Sequence, residues 1–251
     1  MQKAVILLDY RKRMVNKITR KSLKDVNLEL IHPARSIAQC DVYTFEIEDK
    51  KYILKDYNQR HNFLKNTWGK FIILREFNVY NKLEGIDGIP RVFNLLDDYG
   101  FVMEFIKGER LPKSKDNFLT KEFFEKLSNI IKRMHKRGIS HGDLRRKNIL
   151  VDENMQPYLI DFASAFRLKN PNNYIYKKIF KRLCNVDNIT VIKLKKHYVP
   201  DSLTAKERHL LENKPFYLKF GQFLKKKVYR HFKKRNRKKI IEKIKNKFFG
   251  G

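Results

Sequence analysis

The stretch HGDLRRKNILVDENMQPYLIDFASA, residues 141–165, places two aspartates, an asparagine and a histidine around short apolar runs. Carboxylate and amide oxygens are hard donors that suit Mg²⁺, a cation that keeps several waters and bridges phosphates. Phosphoryl transfer from a nucleotide needs such a metal site, a positioned acceptor hydroxyl and a group to take its proton. Asp143, Asn148 and Asp161 offer that set. Asn148 follows Asp143 by five residues, enough for the loop to fold back on one cavity. Asp161 ends the apolar run Tyr158-Leu159-Ile160 and so faces a cleft.

These residues need elements to hold them. Residues 42–56, VYTFEIEDKKYILKD, alternate as two strands around the turn Glu48-Asp49-Lys50. KFIILREFNVYNKLEG then has helical spacing, with Phe71, Ile73, Leu74, Phe77, Tyr80 and Leu83 as its apolar positions and Gly85 as its stop. GIPRVFNLLDDYGFVMEFI reads as two further strands with a turn at Tyr99-Gly100. Thr120 is placed to cap a helix carrying Phe123, Phe124, Leu127, Ile130, Ile131 and Met134 and ending at Gly138. Short strands NILV and PYLI flank DENMQ, and from about residue 174 the chain reads as helical and increasingly basic. The amino-terminal MQKAVILLDYRKR reads as a first strand, since a secretory signal would have a longer apolar region and a cleavage site. The boundary between a β-rich and an α-rich part falls near residues 107–112.

HGDLRRKN together with IDFA resembles the catalytic and metal-binding loops of the protein-kinase-like superfamily, whose pattern is H-x-D-L-x-x-x-N followed by D-F-G. The separation of thirteen between Asn148 and Asp161 also matches. The resemblance implies an α+β, bilobal fold: a small β-rich N-lobe over residues 1–106, and an α-rich C-lobe with basic carboxyl-terminal helices over residues 107–251. It implies that Asp143 orients and deprotonates the acceptor hydroxyl, that Arg145 faces the transferred phosphate, and that Asn148 and Asp161 hold Mg²⁺. Lys55 in YILKDY is similar to the strand lysine that contacts the ATP phosphates, and Glu76 falls on the helix that supplies its ion-pair partner. FVMEFIKGE resembles the adenine-binding hinge, with Met103 behind the base, Glu104 to Ile106 presenting backbone groups and Glu109 near the ribose. His135 and His141 are expected to hydrogen-bond the loops around Asp143 and Asp161. Asp187 is expected either to anchor a helix beneath the catalytic loop or merely to cap one.

The resemblance covers roughly residues 30–165 and departs from the pattern in three places. HPARSIAQCDVY stands where a glycine-rich phosphate loop is usual; Ser36 and the backbone around Ala38 are its candidates for capping phosphates. Ala163 replaces the glycine of the metal-binding turn. Gly142 replaces the arginine that would pair with a phosphorylated activation loop, and no A-P-E segment follows. Control by activation-loop phosphorylation is therefore not expected.

The HGD form and the short region after Asp161 fit small atypical kinases. These include RIO-type kinases, the tRNA-modification-associated kinase of archaea and eukaryotes, and bacterial lipopolysaccharide core kinases. The leading expectation is an ATP-dependent kinase acting on a sugar of a lipid-linked lipopolysaccharide core at the inner membrane. A Ser/Thr protein kinase or RIO-like ATPase is the alternative. A pseudokinase scaffold binding nucleotide, RNA or membrane is the alternative of another class.

Composition bears on the partner. The chain has 251 residues and a formal net charge of +30, a surface that attracts polyanions unless the lysines are merely solvated. KKKVYRHFKKRNRKKIIEKIKNKFF, near the carboxyl terminus, contains Glu242 as its one acidic residue among interleaved aromatic and aliphatic side chains. Such a segment suits an anionic membrane, each cation adding ~1 kcal/mol near the lipid. It also suits RNA phosphates, or a helix with a solvated face packed on its own lobe. No apolar run approaches the ~20 residues of a spanning helix, and Cys40 and Cys184 lack metal-ligand spacing. A reducing cytoplasmic location, peripheral to the inner membrane, is the expectation.

Overall fold

The structure, a computed structural model, describes residues 18–34, 39–58, 69–113 and 119–213. The expected first strand, Ser36 and the basic segment after residue 213 lie outside the described residues. The described residues fall into two compact units, divided between Leu203 and Thr204.

In the first unit, five antiparallel strands make one sheet in the order β1-β2-β3-β5-β4: β1 Glu29–His32, β2 Asp41–Ile47, β3 Lys50–Asp56, β4 Val92–Asp97 and β5 Gly100–Glu104. Glu48 and Asp49 both take left-handed φ, 50° and 57°, giving the two-residue turn whose twist matches its flanking strands. The register that follows pairs Ile47 with Lys50 and Val42 with Lys55. β3 and β5 pair Ile53 with Met103, Leu54 with Val102, and Lys55 with Phe101. Because side chains alternate along a strand, Lys55, Phe101 and Met103 share one face, and Leu54 and Val102 share the other.

Each face is covered. On the first lies helix α1, Lys70–Leu83, which buries Ile73, Glu76, Val79, Tyr80 and Leu83. Its turn-by-turn stripe ends where Gly85 takes φ +78°. On the second face Phe45, Tyr52, Leu54 and Val102 form a cluster with Ile18 and Leu23, and Val26 and Leu28 pack against it. Arg20 fastens this amino-terminal segment. Its guanidinium donates to both Asp56 carboxylate oxygens at 2.7 Å, to Asp97 Oδ1 at 3.0 Å, and also to Asp97 Oδ2.

Next comes β6, Gly108–Arg110, inside the expected connector. Helix α2, Lys121–Lys136, starts where the Thr120 hydroxyl accepts the Phe123 amide, and its buried stripe is the one expected. Then come β7 Ile139–Ser140, a 3₁₀ turn at Arg146–Asn148, β8 Ile149–Asp152, β9 Pro157–Leu159 and β10 Phe166–Arg167. β6, β8 and β9 form a three-stranded sheet, and β7 pairs with β10. Helix α3, Tyr174–Tyr198, is capped by the Asn173 side chain, and all its buried residues, from Asp187 to Tyr198, lie in its carboxyl-terminal half.

One core runs through both lobes, from Tyr57, Tyr80 and Phe101 to Leu127, Ile131, Leu159 and Phe162. The loop after α1 reaches the second lobe closely enough that the Leu159 amide donates to the Gly88 carbonyl at 2.8 Å. A Cβ on Gly88 would stand 2.6 Å from the Pro157 carbonyl oxygen, so this approach needs glycine. In the second unit, helix α4, Ala205–Glu212, opens on a capping box between Thr204 and Glu207. The expected α+β bilobal architecture is present.

Candidate functional site

β3 carries Lys55 into the core face, where its ammonium meets Glu76 of α1 at 2.5 Å. Both are buried, with Glu76 only 1% exposed. Burial opposes the Lys55 charge, but Glu76, with Tyr80 and Asp161 nearby, holds the ammonium well above its ordinary value. Glu76 Oε1 also accepts the backbone N–H of Phe162 at 3.0 Å. A single carboxylate oxygen thus joins the strand lysine to the turn at Asp161-Phe162.

That turn is held from two more directions. The Tyr80 hydroxyl, one helical turn beyond Glu76, accepts the Asp161 amide at 3.1 Å. Phe162 is fully buried, with its ring 4.8 Å from His141 and 5.0 Å from Tyr80 between centroids. Asp161 itself takes φ +67°, while Ala163 is not among the left-handed residues. Glycine is dispensable at position 163 because the unusual conformation falls on the aspartate.

Gly142 has the opposite character. It takes φ +75°, and a Cβ there would lie 2.3 Å from the Ser164 carbonyl oxygen. The residue that departs from the arginine of the kinase pattern is therefore a steric requirement of this loop.

The loop at residues 141–148 is organised from within. The Asn148 side-chain NH₂ donates to the Asp143 carbonyl at 2.9 Å. Its backbone carbonyl accepts the Ile160 amide at 3.0 Å, and its own amide donates to Arg145 at 2.8 Å. The amide's nitrogen end is thereby engaged, leaving its oxygen as the end suited to a metal. Arg145 Nη2 lies 3.0 Å from Asp143 Oδ2, both side chains partly exposed. The connector is tied to the same loop: Arg146 donates to the Pro112 carbonyl at 2.9 Å, and Tyr198 donates to it as well.

Asp187 answers the question left by its sequence position. It sits in the middle of α3, so it caps nothing. Its Oδ2 accepts the His141 amide at 2.9 Å and lies 3.0 Å from His135 Nε2. His141 Nε2 donates to the Ile160 carbonyl at 3.1 Å, since a carbonyl can only accept. Burial pushes the His141 ring below its ordinary value, against the pull of Asp187 and Asp161. His141 thus braces the loop before Asp161 as expected, whereas His135 bonds Asp187 of α3 and reaches the loops only through that carboxylate.

In the hinge, Met103 is buried on β5 opposite Ile53 and Val92. The Glu104 amide donates to the Arg91 carbonyl at 2.8 Å, and its carboxylate accepts the Arg91 amide at 3.0 Å. Its side chain is therefore a strand clamp. Ile106 lies half-buried between β5 and β6, and Glu109 is exposed on β6 opposite Val151. Cys40 packs at the edge of this core, and burial pushes its thiol up to about 12, as it does for Cys184.

Sequence reasoning missed Tyr80, Arg20 and Arg75, the last donating to the Ala165 carbonyl. Tyr80 had one signal: four residues after Glu76 is the same helix face. Arg20 had none, because its partners are 36 and 77 residues away.

Among the described residues no group of three or more His, Cys, Asp or Glu forms a metal cage. A cation here would rest on one carboxylate, one amide oxygen and phosphates, a donor set that fits Mg²⁺. No helix among those residues is long and apolar enough to cross a membrane.

Comparison with known proteins places this geometry. The chain is 31% identical over 109 residues to the RIO-type serine/threonine-protein kinase Rio2 of Methanocaldococcus jannaschii, covering 41% of this chain and 40% of that protein. It is 30% identical over 139 residues to the serine/threonine-protein kinase PKH2 of Candida albicans, covering 52% of this chain and 14% of that one. In both cases the chain spans less than half the relative's length. The crystal structure of Rio2 kinase from Chaetomium thermophilum, solved as an ADP/Mg²⁺-phosphoaspartate complex, superposes with TM-score 0.49 at 20% identity, covering 70% of this chain and 57% of that one. The RIO domain model matches residues 37–206, a span that holds Lys55, Glu76, the loop at 141–148 and the turn at Asp161. With most of its length inside that match, the chain belongs to the RIO domain family, an atypical branch of the protein-kinase-like superfamily.

Proposed function

We propose that the chain is an ATP- and Mg²⁺-dependent phosphotransferase with an alcohol acceptor. The observation that carries this reading is the double use of Glu76, which bonds Lys55 and the Phe162 amide through one oxygen. A merely folded two-lobed protein has no need to bury a lysine there.

Bound with the nucleotide, Mg²⁺ supplies charge neutralisation for the phosphates. Asn148 and Asp161 would hold it, and the Lys55 ammonium, fixed by Glu76, would contact the phosphates. The hinge backbone from Glu104 to Ile106 would face the base, with Met103 behind it and Glu109 near the ribose. Asp143 accepts the proton of the attacking hydroxyl. Arg145, paired with Asp143 at 3.0 Å, is placed to exchange that carboxylate for the transferred phosphate.

A protein serine or threonine hydroxyl is the acceptor that family membership favours. A sugar hydroxyl of a lipid-linked lipopolysaccharide core is the second reading. It is favoured by the run from Phe162 to Val186, which contains six Lys and Arg and no Asp or Glu directly after the metal-binding turn. A cytoplasmic location, peripheral to the membrane, goes with it. The N-lobe and C-lobe division at residues 106 and 107 belongs to the same proposal.

The test is transfer of labelled γ-phosphate by the full chain to a protein acceptor and, separately, to a lipid-linked core oligosaccharide. Asp143→Asn is expected to lower turnover by about 10²–10⁴-fold. Equal turnover by wild type and variant would overturn the reading. Label on one acceptor alone decides between the two.

A further inference from the structure

The amino-terminal half of α3 carries none of the side chains assigned to phosphoryl transfer, yet among the described residues it gathers the most exposed apolar groups. Tyr174, Ile175, Tyr176 and Ile179 are exposed at 72%, 66%, 46% and 40%. Among the described residues they are four of the eight large apolar side chains so exposed, gathered within six positions. Lys177, Lys178, Lys181 and Arg182 stand between and beside them, all exposed, and Arg167 and Lys169 precede them. Residues 162–186 contain no acidic side chain. Lys178 Nζ sits 5.6 Å from the Tyr174 ring centroid, so this cation lies over the aromatic surface.

We propose that this face docks on an anionic lipid bilayer, with Tyr174, Ile175 and Ile179 entering the interface and the surrounding cations meeting lipid phosphates. The charge of this stretch is one-sided: residues 162–186 hold six Lys and Arg and no Asp or Glu, which favours a polyanion. The apolar groups select among polyanions. Ile175 and Ile179, one helical turn apart, have no π face for a nucleobase to stack on, and a phosphate backbone gives them nothing. An acyl–headgroup boundary removes them from water, and tyrosines settle at that depth. The basic carboxyl-terminal segment of this chain is a poor occupant, because it would bring like charge to like charge.

The position of the face gives docking a consequence. Phe166, on β10, packs 6.4 Å from both Tyr176 and Phe180 and pairs with Ser140, three residues before Asp143. A bilayer on α3 thus lies beside the catalytic loop. The proposal concerns where the protein rests and does not depend on the phosphotransfer reading.

The test uses the full chain and vesicles of phosphatidylcholine with or without phosphatidylglycerol. Trp68→Phe removes the one tryptophan of the chain, and Tyr174→Trp then reports from the face itself. Anionic vesicles are expected to blue-shift its emission and neutral vesicles to leave it unchanged. Ile175→Ser with Ile179→Ser, or Lys177→Glu with Lys178→Glu and Lys181→Glu, is expected to weaken vesicle binding about tenfold or more, with circular dichroism and nucleotide binding as in the parent. No shift on anionic vesicles overturns the proposal, as does unchanged vesicle binding by both variants. Salt-sensitive binding to a single-stranded RNA oligonucleotide, lost in the lysine variant without any vesicle binding, overturns it in favour of nucleic acid.

Discussion

Glu76 Oε1 accepts the Phe162 amide at 3.0 Å while holding Lys55 Nζ at 2.5 Å. Helix α1 therefore cannot shift without disturbing both the lysine and the metal-binding turn. Lys55→Met leaves a carboxylate buried without its charge partner and is expected to cost about 3–5 kcal/mol. Lys55→Met with Glu76→Leu should cost less than the sum of the single changes. Urea denaturation across the double-mutant cycle measures the coupling.

Asp161 and Asp143 separate binding from transfer. Asp161→Asn is expected to abolish the Mg²⁺-dependent part of the thermal shift given by ATP, with little change in stability without nucleotide. Asp143→Asn should retain that shift and lose turnover. Loss of nucleotide binding by Asp143→Asn would argue that this carboxylate is itself part of the metal site.

Gly142→Ala is expected to destabilise the protein by about 1–3 kcal/mol from the left-handed backbone alone, with the Ser164 carbonyl adding to it. Ala163→Gly should change stability far less, because position 163 needs no left-handed conformation. Thermal melts of the two variants give the comparison. Equal effects would mean that the loop relaxes around Gly142.

His141 gives stability a pH dependence. Its ring is held below its ordinary value by burial, and its Nδ1 has no hydrogen-bond partner among the described residues. The unfolded chain binds this proton more readily than the folded one. Its contribution is therefore fully present above about pH 6.5 and declines as the pH falls towards the folded value. His141→Gln is expected to flatten the stability profile between pH 7 and pH 5 (about the range of an ordinary histidine). An unchanged slope would place the titration elsewhere.

Much of this architecture was legible before the structure. The hairpin at 42–56, α1 and α2 each carry their own period and punctuation, so local pattern sufficed. Asp143, Asn148 and Asp161 were legible because one loop and one strand fix their separation. The roles of Gly142 and Ala163 were not, since a left-handed φ and the Ser164 carbonyl appear only once the chain closes on itself. Asp187 could not be told from a cap until α3 was seen to run unbroken from Tyr174 to Tyr198 around it. β1, β6, β7 and β10 escaped notice for a different reason: each is four residues or fewer and none carries the three-residue apolar run that marked NILV and PYLI.

The amino-terminal segment from Ile18 to Leu28 is the outer leaf of a sheet that is apolar on both sides, latched by the Arg20 guanidinium across Asp56 and Asp97. Release of that latch would bare Phe45, Tyr52, Leu54 and Val102 together while the catalytic face stayed covered. A protein clipped after residue 28 should therefore fail first by self-association, as concentration-dependent loss of soluble material, rather than by collapse of its active centre.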